Sequence, residues 1–545
     1  REDIEDSQRY TCKDRIYTGD GHFFEDIIGK IQGMMKKIHF ICMGAENLGV
    51  ESLISILRKN GFEVFLSYDP AYFADLNSVD FPQLYRFLSR ENQIIEEVKR
   101  TDPDIVGLSS MTDNFLWNIN IATKIKTALP HIKVLFGGIH PTIVPEYVIK
   151  YDCIDYVLMG EAEYTIIELL KSDNNIESLK KINGLWFKDK DNNIHSPEFS
   201  PKVIHNLDEL PFIDKDLFYS TGYVQKDVYR TMASRGCPYN CSYCCYDYLH
   251  KLYKFNRIRF RKAEIVIEEL KCAKRRFNPR VVHFNDDIFT YDRKWLTNFL
   301  SLYRREINLP YSCIIHPKFM DKESARMLKE SGCYRVQIGI QSLNNEIKRK
   351  YFNRFETTED ISRCFDALEG ENISFSADYI IGVGNQRLED ILNEARFYYK
   401  YKNLKMLNVY WLTFYPKTGI IEKVLDYEGR LKDKENIEKE LANGKTVMYL
   451  SAYKNPNYKD SEELKRIETA LLLTGSLNKK VAKFILENHI DKIHLIPYSA
   501  RYLLYLFSIL SIPDHSWISY MKTYIKGIPS VLYKNLISQI IPEKK

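Results

Sequence analysis

No stretch of eighteen consecutive apolar residues occurs in the 545-residue chain, so no transmembrane helix is expected. The best apolar stretch, YLLYLFSILSI at 502–512, is too short to span a bilayer. It reads as a buried helix, with a membrane-surface contact as the lesser alternative. The first residues, REDIEDSQRYTCKDRIYTGDG, lack a basic segment followed by an apolar one, and no secretory signal is expected. One-sided charge is absent too. The 78 basic and 73 acidic residues leave +5, too even a balance to single out nucleic acid as a partner. Also missing is a second pair of cysteines at close spacing, which argues against the usual zinc architecture. The 11 cysteines are odd in number and mostly scattered. Without an export signal a reducing, cytoplasmic compartment is expected, where clustered thiols serve metal or redox chemistry rather than disulfides. Scattered ones such as Cys42, Cys153, Cys272 and Cys364 read as small buried hydrophobes.

What is present suits a globular protein of two or three domains, with 45% hydrophobic and 28% charged residues. Residues 1–36 form an extension ahead of the first strong strand. From 37 to 172 short β-branched runs alternate with helical patterns. Strands are expected at 37–44, 63–68, 104–110, 133–138 and 155–160, and helices at 47–61, 91–100, 115–129 and 161–172. That alternation makes an α/β domain, an open parallel sheet of flavodoxin type, whose ligands sit beyond the carboxyl ends of the strands. The loops there read SSMT (109–112), GGIHPT (137–142) and GEAE (160–163). Each glycine alone would serve as a tight turn; three small-residue loops on one edge favour a ligand site.

Residues 173–228 read as a linker, with a hairpin at 181–195 and an extended stretch at 206–214. A second alternation covers 229–425. Six strands are expected at 229–234, 280–286, 311–317, 334–342, 374–382 and 407–416, with helices at 263–277, 293–307, 322–332 and 388–401. Such βα units form a partial (β/α)6 barrel with its active site at the carboxyl ends of the strands. There the loop ASRGCPYNCSYCCYDY (233–248) places Cys237, Cys241 and Cys244 at C-x3-C-x2-C spacing. Thiolates this close on one loop can ligate different irons of one cubane cluster. Residues 426–545 turn charged and helical and form a helical C-terminal domain.

Two family resemblances follow from these residues. DPDIVGLSS, FGGIHPT and DYVLMGEAE resemble the cobalamin-binding domain that precedes radical SAM domains. This implies a pocket lined by Ser110, Thr112, Gly137, Gly138, His140, Gly160 and Glu161. The loop after the first strand, GAENLG (44–49), lacks the Asp and His of the D-x-H-x-x-G pattern found in mutase-type cobalamin domains. A histidine ligand to cobalt from that loop is excluded, and His140 is expected to serve as a loop hydrogen-bonder. The C-x3-C-x2-C loop, with Tyr243 before its last cysteine, resembles the radical SAM signature. That implies a [4Fe–4S] cluster on Cys237, Cys241 and Cys244, with the fourth iron open to S-adenosylmethionine (SAM). Cys245 is a neighbour rather than a ligand. FNDDIF (284–289) and GIQSLNNEIKRKYFNR (339–354) resemble later strand motifs of the same family. They offer Asp286 or Asp287 to the SAM amine, with helix capping as the equal alternative. Gln341 and Ser342 would meet the ribose or methionyl group, and Arg354 the carboxylate. DYIIGVGNQ and FYPKTG match less well, because Val383-Gly384 and Pro416-Lys417 stand where relatives carry Pro-Gly. His316 and Tyr415 end strands, as rim packing or substrate contacts. The basic run at 250–262 reads as a solvated face.

The resemblance as a whole implies a cobalamin-dependent radical SAM enzyme. The first reading is a methyltransferase acting on an unactivated carbon of a small molecule, reduced by a donor such as flavodoxin or ferredoxin. The second is a cyclase or rearrangement enzyme like the anaerobic tetrapyrrole-ring cyclases. The third is a cobalamin or SAM sensor without turnover.

Overall fold

A computed structural model describes residues 36–444 and 461–496, apart from 73, 76–78, 81, 174, 384–385, 428 and 430, together with 503–504, 522–523, 525–532. The expected extension, but for Lys36, and most of 502–512 lie outside these residues. Gly384 does too. The described chain divides into two compact units. Residues up to Gln225, joined by Ala442–Gly444, belong to the first; Lys226–Leu441 and 461–504 belong to the second.

The first unit is built on β1 (Lys37–Met43), β2 (Glu63–Asp69), β3 (Ile105–Ser109), β4 (Lys133–Gly137) and β5 (Tyr156–Leu158), parallel and in the order 2-1-3-4-5. Helices α1 (Leu48–Lys59), α2 (Glu91–Thr101), α3 (Phe115–Ala128) and α4 (Thr165–Lys171) follow the strands. Ile38, Phe40 and Ile41 of β1 are all buried, as expected where helices cover both faces of a parallel sheet. Asn47 caps α1 by accepting from the Val50 amide at 3.1 Å, which contributes about 1 kcal/mol. Val50, Ile54 and Leu57 then place the buried stripe of α1 against the sheet.

The hairpin expected in the linker forms as β6 (Leu185–Lys188) and β7 (Ile194–His195). It does more than connect. β6 pairs antiparallel with β5, so the hairpin extends the sheet to seven strands and covers an edge that would otherwise expose unpaired backbone groups.

The second unit holds β8 (Val228–Thr231), β9 (Val281–Phe284), β10 (Tyr311–Ile315), β11 (Cys333–Gln341), β12 (Ser374–Ile381) and β13 (Leu404–Trp411). The six strands are parallel and lie in chain order, with β8 and β13 at the edges. This is the open barrel the sequence calls for. Its helices include α5 (Tyr246–Tyr253), α6 (Ala263–Phe277), α7 (Arg293–Glu306), α8 (Lys322–Glu330), α9 (Thr358–Gly370) and α10 (Leu388–Tyr398). The sequence pattern did not single out α9, although Thr357 and Asp360 form a capping box at its start.

Alternation along the strands sorts two faces. On β11, Val336, Ile338 and Ile340 are fully buried, while Arg335, Gln337 and Gly339 are part-exposed. The buried face meets helices: Phe375 of β12 packs tilted against Phe365 of α9 with centroids 4.7 Å apart, and Tyr379 hydrogen-bonds Glu394 of α10. The part-exposed set therefore lines the inner face of the barrel. After the barrel, α11 (Ser461–Ser476) packs on β13 and α10 in the same compact unit, and Glu468 accepts from the Trp411 indole at 3.0 Å.

Candidate cofactor sites

The cysteine loop leaves β8 at its carboxyl end. A two-residue strand pair, Ser234–Arg235 with Arg259–Phe260, turns the chain into it. Gly236 takes φ +106° there, and a Cβ would stand 2.8 Å from the Arg257 carbonyl, so only glycine fits. The loop is pinned from several sides. The Ser242 amide donates to the Phe352 carbonyl at 3.0 Å and the Ser242 carbonyl accepts from the Ile420 amide at 2.9 Å. Asn353 donates to the Asn240 carbonyl at 3.0 Å, and His250 to the Cys237 carbonyl at 2.8 Å.

Cys237 and Cys244 are half-buried and Cys241 is buried. Burial pushes the Cys237 thiol up to about 12, and the charges of Cys241 and Cys244 bear on it. Cys245 opens α5, and its thiol hydrogen-bonds the Cys244 sulfur, lowering the latter's pKa. Among the described residues no three His, Cys, Asp or Glu converge on a point to hold a single ion. A cubane places each thiolate on a different iron, so its ligands need no such convergence. Three soft donors on one braced loop fit a cluster of that kind.

The two neighbouring carboxylates part ways. Asp286 is fully buried and accepts from the Ser234 hydroxyl at 2.5 Å and the Ala233 amide at 3.1 Å. Its oxygens brace the start of the cysteine loop from within. Asp287 is exposed, accepts from the Tyr246 hydroxyl at 2.6 Å, and bears electrostatically on Cys237, Cys244 and Cys245. Its pKa is nonetheless raised by desolvation, as for a group lining a concavity. Asp287, then, is the carboxylate that faces the thiols.

Of the remaining barrel residues singled out in the sequence, Arg354 and His316 meet the same loop. Arg354 is buried; it donates to Glu356 at 2.6 Å, to the Tyr243 hydroxyl at 3.0 Å and to the Gly339 carbonyl at 2.6 Å. It ties the cysteine loop to the end of β11. Tyr243 packs edge-on against Phe352 in the core beneath. Ser342 is fully buried and accepts from the Asn344 amide at 3.0 Å. Gln341 follows a bulge in the β11–β12 register and takes φ +62°, a left-handed geometry costing about 1–3 kcal/mol. His316 is buried, stacked on Tyr239 of the cysteine loop at 4.7 Å, with its Nε2 3.7 Å from Glu356. Tyr415 is half-buried. Of the basic run, Arg261 is spent in an ion pair with Glu269.

One inner-face group escaped the sequence reading. Asp378 of β12 accepts from Gln337 at 2.9 Å and from Asn408 at 2.7 Å. Burial raises its pKa, against the opposing pull of Arg335 and Arg354. The signal was present as alternation: Asp378 stands between Ala377 and Tyr379, both buried on the other face.

In the first unit the crevice lies where the strand order reverses, between β1 and β3. Asn47 of the β1 loop donates to Ser109 of the β3 loop at 3.2 Å and so bridges its two sides. Gly138 takes φ +94°, with Ser110 backbone atoms 2.7–2.8 Å from where a Cβ would stand. Ser110 is fully buried and accepts from Asn118; the Gly160 amide donates to Thr142 at 2.9 Å. Gly137 ends β4 with room for a Cβ, and Glu161 accepts from the Ile204 amide at 2.7 Å. His140 is fully buried, its ring tilted against Phe115 with centroids 4.3 Å apart. Its Nε2–H donates to the Ala442 carbonyl at 3.2 Å, and its Nδ1 accepts from Thr112 at 3.1 Å. Burial lowers its pKa to about 4, so it is neutral at physiological pH. The exposed surface at this edge includes backbone and small residues, Asp113, and Met111 and Leu116, the last two 54% and 49% exposed. That suits a broad, largely apolar macrocycle and offers it no imidazole.

Comparison with known proteins agrees with both domains. The B12 binding domain model matches residues 17–170, and the Radical SAM superfamily model matches 232–398. The chain belongs to the B12-binding radical SAM enzymes. Its cofactors are those of the two domains: cobalamin, a [4Fe–4S] cluster and SAM. An uncharacterised methyltransferase of Pyrococcus horikoshii, PH0819, is 28% identical over 56% of this chain and 66% of its own length. An anaerobic magnesium-protoporphyrin IX monomethyl ester cyclase of Rubrivivax gelatinosus is 23% identical over 62% and 61%. The chain thus spans about two-thirds of the curated relatives' length. The solved structure of the cobalamin-dependent SAM radical enzyme OxsB, with aquacobalamin bound, shares the fold at a TM-score of 0.60 and 14% identity, over 93% of this chain and 85% of that one. Among the described residues no helix of this radical SAM enzyme is long and apolar enough to cross a membrane.

Proposed function

We propose that this B12-binding radical SAM enzyme is a methyltransferase acting on an unactivated carbon of a small-molecule substrate. The observation that carries the reading is the braced cysteine loop beside Asp287, in a chain whose other domain binds B12. When bound, the cluster and SAM supply a 5′-deoxyadenosyl radical, and cobalamin supplies a methyl carrier.

The chain's own residues hold and orient. Cys237, Cys241 and Cys244 would hold the cluster. Asp287 would accept from the SAM amine, in place of the enclosed Asp286. Gln341, held at the end of β11 by the bulge, would meet SAM from the adjoining strand. Arg354, Tyr243 and Ser342 would act one step back, by fixing the loops that present those groups. Ser110, Thr112, Gly137, Gly138, His140, Gly160 and Glu161 would shape the cobalamin crevice through backbone and packing. Asp378 would orient substrate from the inner face. A low-potential donor such as flavodoxin or ferredoxin would reduce the cluster, and a reducing cytoplasm would suit the open thiols.

The test is anaerobic reconstitution with iron, sulfide and cobalamin, followed by SAM and candidate substrates, with products identified by mass. S-Adenosylhomocysteine together with 5′-deoxyadenosine and a methylated product is the expected result. 5′-Deoxyadenosine alone would favour the cyclase-like reading that the Rubrivivax relative supports. Neither product, with Cys241→Ala indistinguishable from the parent, would sink both.

A further inference from the structure

The β1 loop carries one acidic side chain, Glu46, in the stretch GAENLG (44–49). It is the loop's one carboxylate that could ligate a metal in the crevice. The loop exposes Ala45 and Gly49, and nothing lies within 4 Å of where a Gly44 Cβ would stand. Glu46 instead turns inward, its side chain 3% exposed. Lys215 holds it there. The Lys215 ammonium, fully buried, donates to Glu46 at 2.6 Å and to Glu51 of α1 at 2.6 Å. Lys215 comes from outside the sheet, and its segment is latched to α1. Asp214 pairs with Arg58 at 2.8 Å, and the Phe212 carbonyl accepts from Ser55 at 2.5 Å.

Two carboxylates around one ammonium is an unusual thing to bury, since removing charges from water is costly unless they are fully paired. Glu46, on a loop that borders solvent, also hydrogen-bonds the Glu51 carboxyl, so the three side chains form one buried cluster. We infer that Lys215 is a positioning residue that draws Glu46 out of the cobalamin crevice, so that no protein carboxylate reaches the cobalt from the β1 loop. The inference rests on the cobalamin reading of this crevice. It assigns to Lys215 and Glu46 the task of keeping that face of the corrin free of a protein ligand, where the loop has no histidine to offer.

The test uses the full chain loaded with hydroxocobalamin, reduced to cob(II)alamin and followed by electron paramagnetic resonance and visible absorption. The parent and Glu46→Gln are expected to give one and the same cobalt spectrum. Lys215→Met is expected to shift the cobalt hyperfine pattern to that of an added oxygen ligand, and Lys215→Met with Glu46→Gln to restore the parental pattern. Lys215→Gln serves if the methionine variant does not fold, with the same expected shift and the same reversal. A Glu46→Gln spectrum unlike the parent's would overturn the inference, for Glu46 would then already reach the metal. So would an unshifted Lys215 variant, or a double variant that stays shifted, which would mark water as the ligand. A parent chain that takes up no cobalamin would refute the crevice reading itself, a different failure from these.

Discussion

At the carboxyl edge of the first sheet Glu46, Glu161 and Glu163 turn under their loops; at that of the second Asp287 turns out. Glu46 lies beneath the β1 loop on Lys215, Glu163 is buried on Ser52, and Glu161 is tied to the Ile204 amide. Much of what remains on the surface is backbone, glycine and apolar side chains, with Asp113 beside them. In the barrel, Cys237, Cys244 and Asp287 stay accessible at the mouth, and the buried groups, Asp286 and Arg354, serve as struts for them. Two parallel sheets of different strand order thus suit two kinds of site. One binds by shape, and its residues are replaceable so long as the backbone path survives. The other binds by donor atoms, and single atoms decide it.

The largest expected effect follows from that contrast. Cys241→Ala should abolish cluster assembly, read as loss of iron, sulfide and charge-transfer absorption, while leaving cobalamin uptake intact. Cys245→Ser should keep the cluster, because its thiol serves as a hydrogen-bond neighbour of Cys244. A cluster lost in Cys245→Ser would mean that the loop divides its four thiols differently.

Next comes the pair of aspartates. Asp287→Asn should lower SAM cleavage by roughly 10–100-fold, the loss of one charge-assisted hydrogen bond of about 1.5–3 kcal/mol. The response of the reduced cluster's resonance to SAM should weaken in step. Asp286→Asn should act differently, lowering the yield of folded, cluster-bearing protein with little change in SAM affinity. If Asp286→Asn alone removed the SAM response, the roles would be reversed.

These two positions also show how far the sequence carried. Alternation of β-branched runs with helical spacing was enough for both sheets, because parallel strands buried on two faces leave a strong apolar signature. The cysteine spacing marked the loop. Adjacent aspartates, by contrast, look alike in sequence. Which one faces the thiols depends on the Ser234–Arg235 strand pair, a two-residue element with no pattern of its own. Gln341 was singled out, but not the bulge that turns it. Lys215 was invisible for a similar reason: its partners lie more than 160 residues away, and nothing local marks a buried lysine.

A backbone-built site should be most sensitive where the backbone is tightest. Gly138→Ala places a Cβ 2.7 Å from the Ser110 carbonyl oxygen at φ +94°. Alanine in this glycine-only backbone region costs about 1–3 kcal/mol before any overlap, so cobalamin affinity should fall by roughly tenfold or more. Gly137→Ala, with 3.6 Å of clearance to the Leu158 carbonyl, should bind nearly as the parent does. Equilibrium titration with hydroxocobalamin separates the two. Equal losses would mean that the crevice is set by side chains after all.

The smallest effect is a pH dependence confined to the first sheet. His140 is buried neutral, with its pKa lowered to about 4 by desolvation. The unfolded chain, near 6.5, therefore binds the proton more tightly as the pH falls. Stability is intact above about pH 6.5 and declines through the window down to about 4, by about 2 kcal/mol at pH 5. His140→Gln keeps a donor for the Ala442 carbonyl and removes the titration. Hydrogen exchange of the β3 and β4 amides in the full chain should thus accelerate less between pH 7 and 5 in the variant, after correction for intrinsic rates. His39, lowered to about 3 by the same cause, is present in both proteins and cancels in the difference. Identical acceleration in parent and variant would mean that water reaches His140, and that the floor of the crevice is less closed than its hydrogen bonds require.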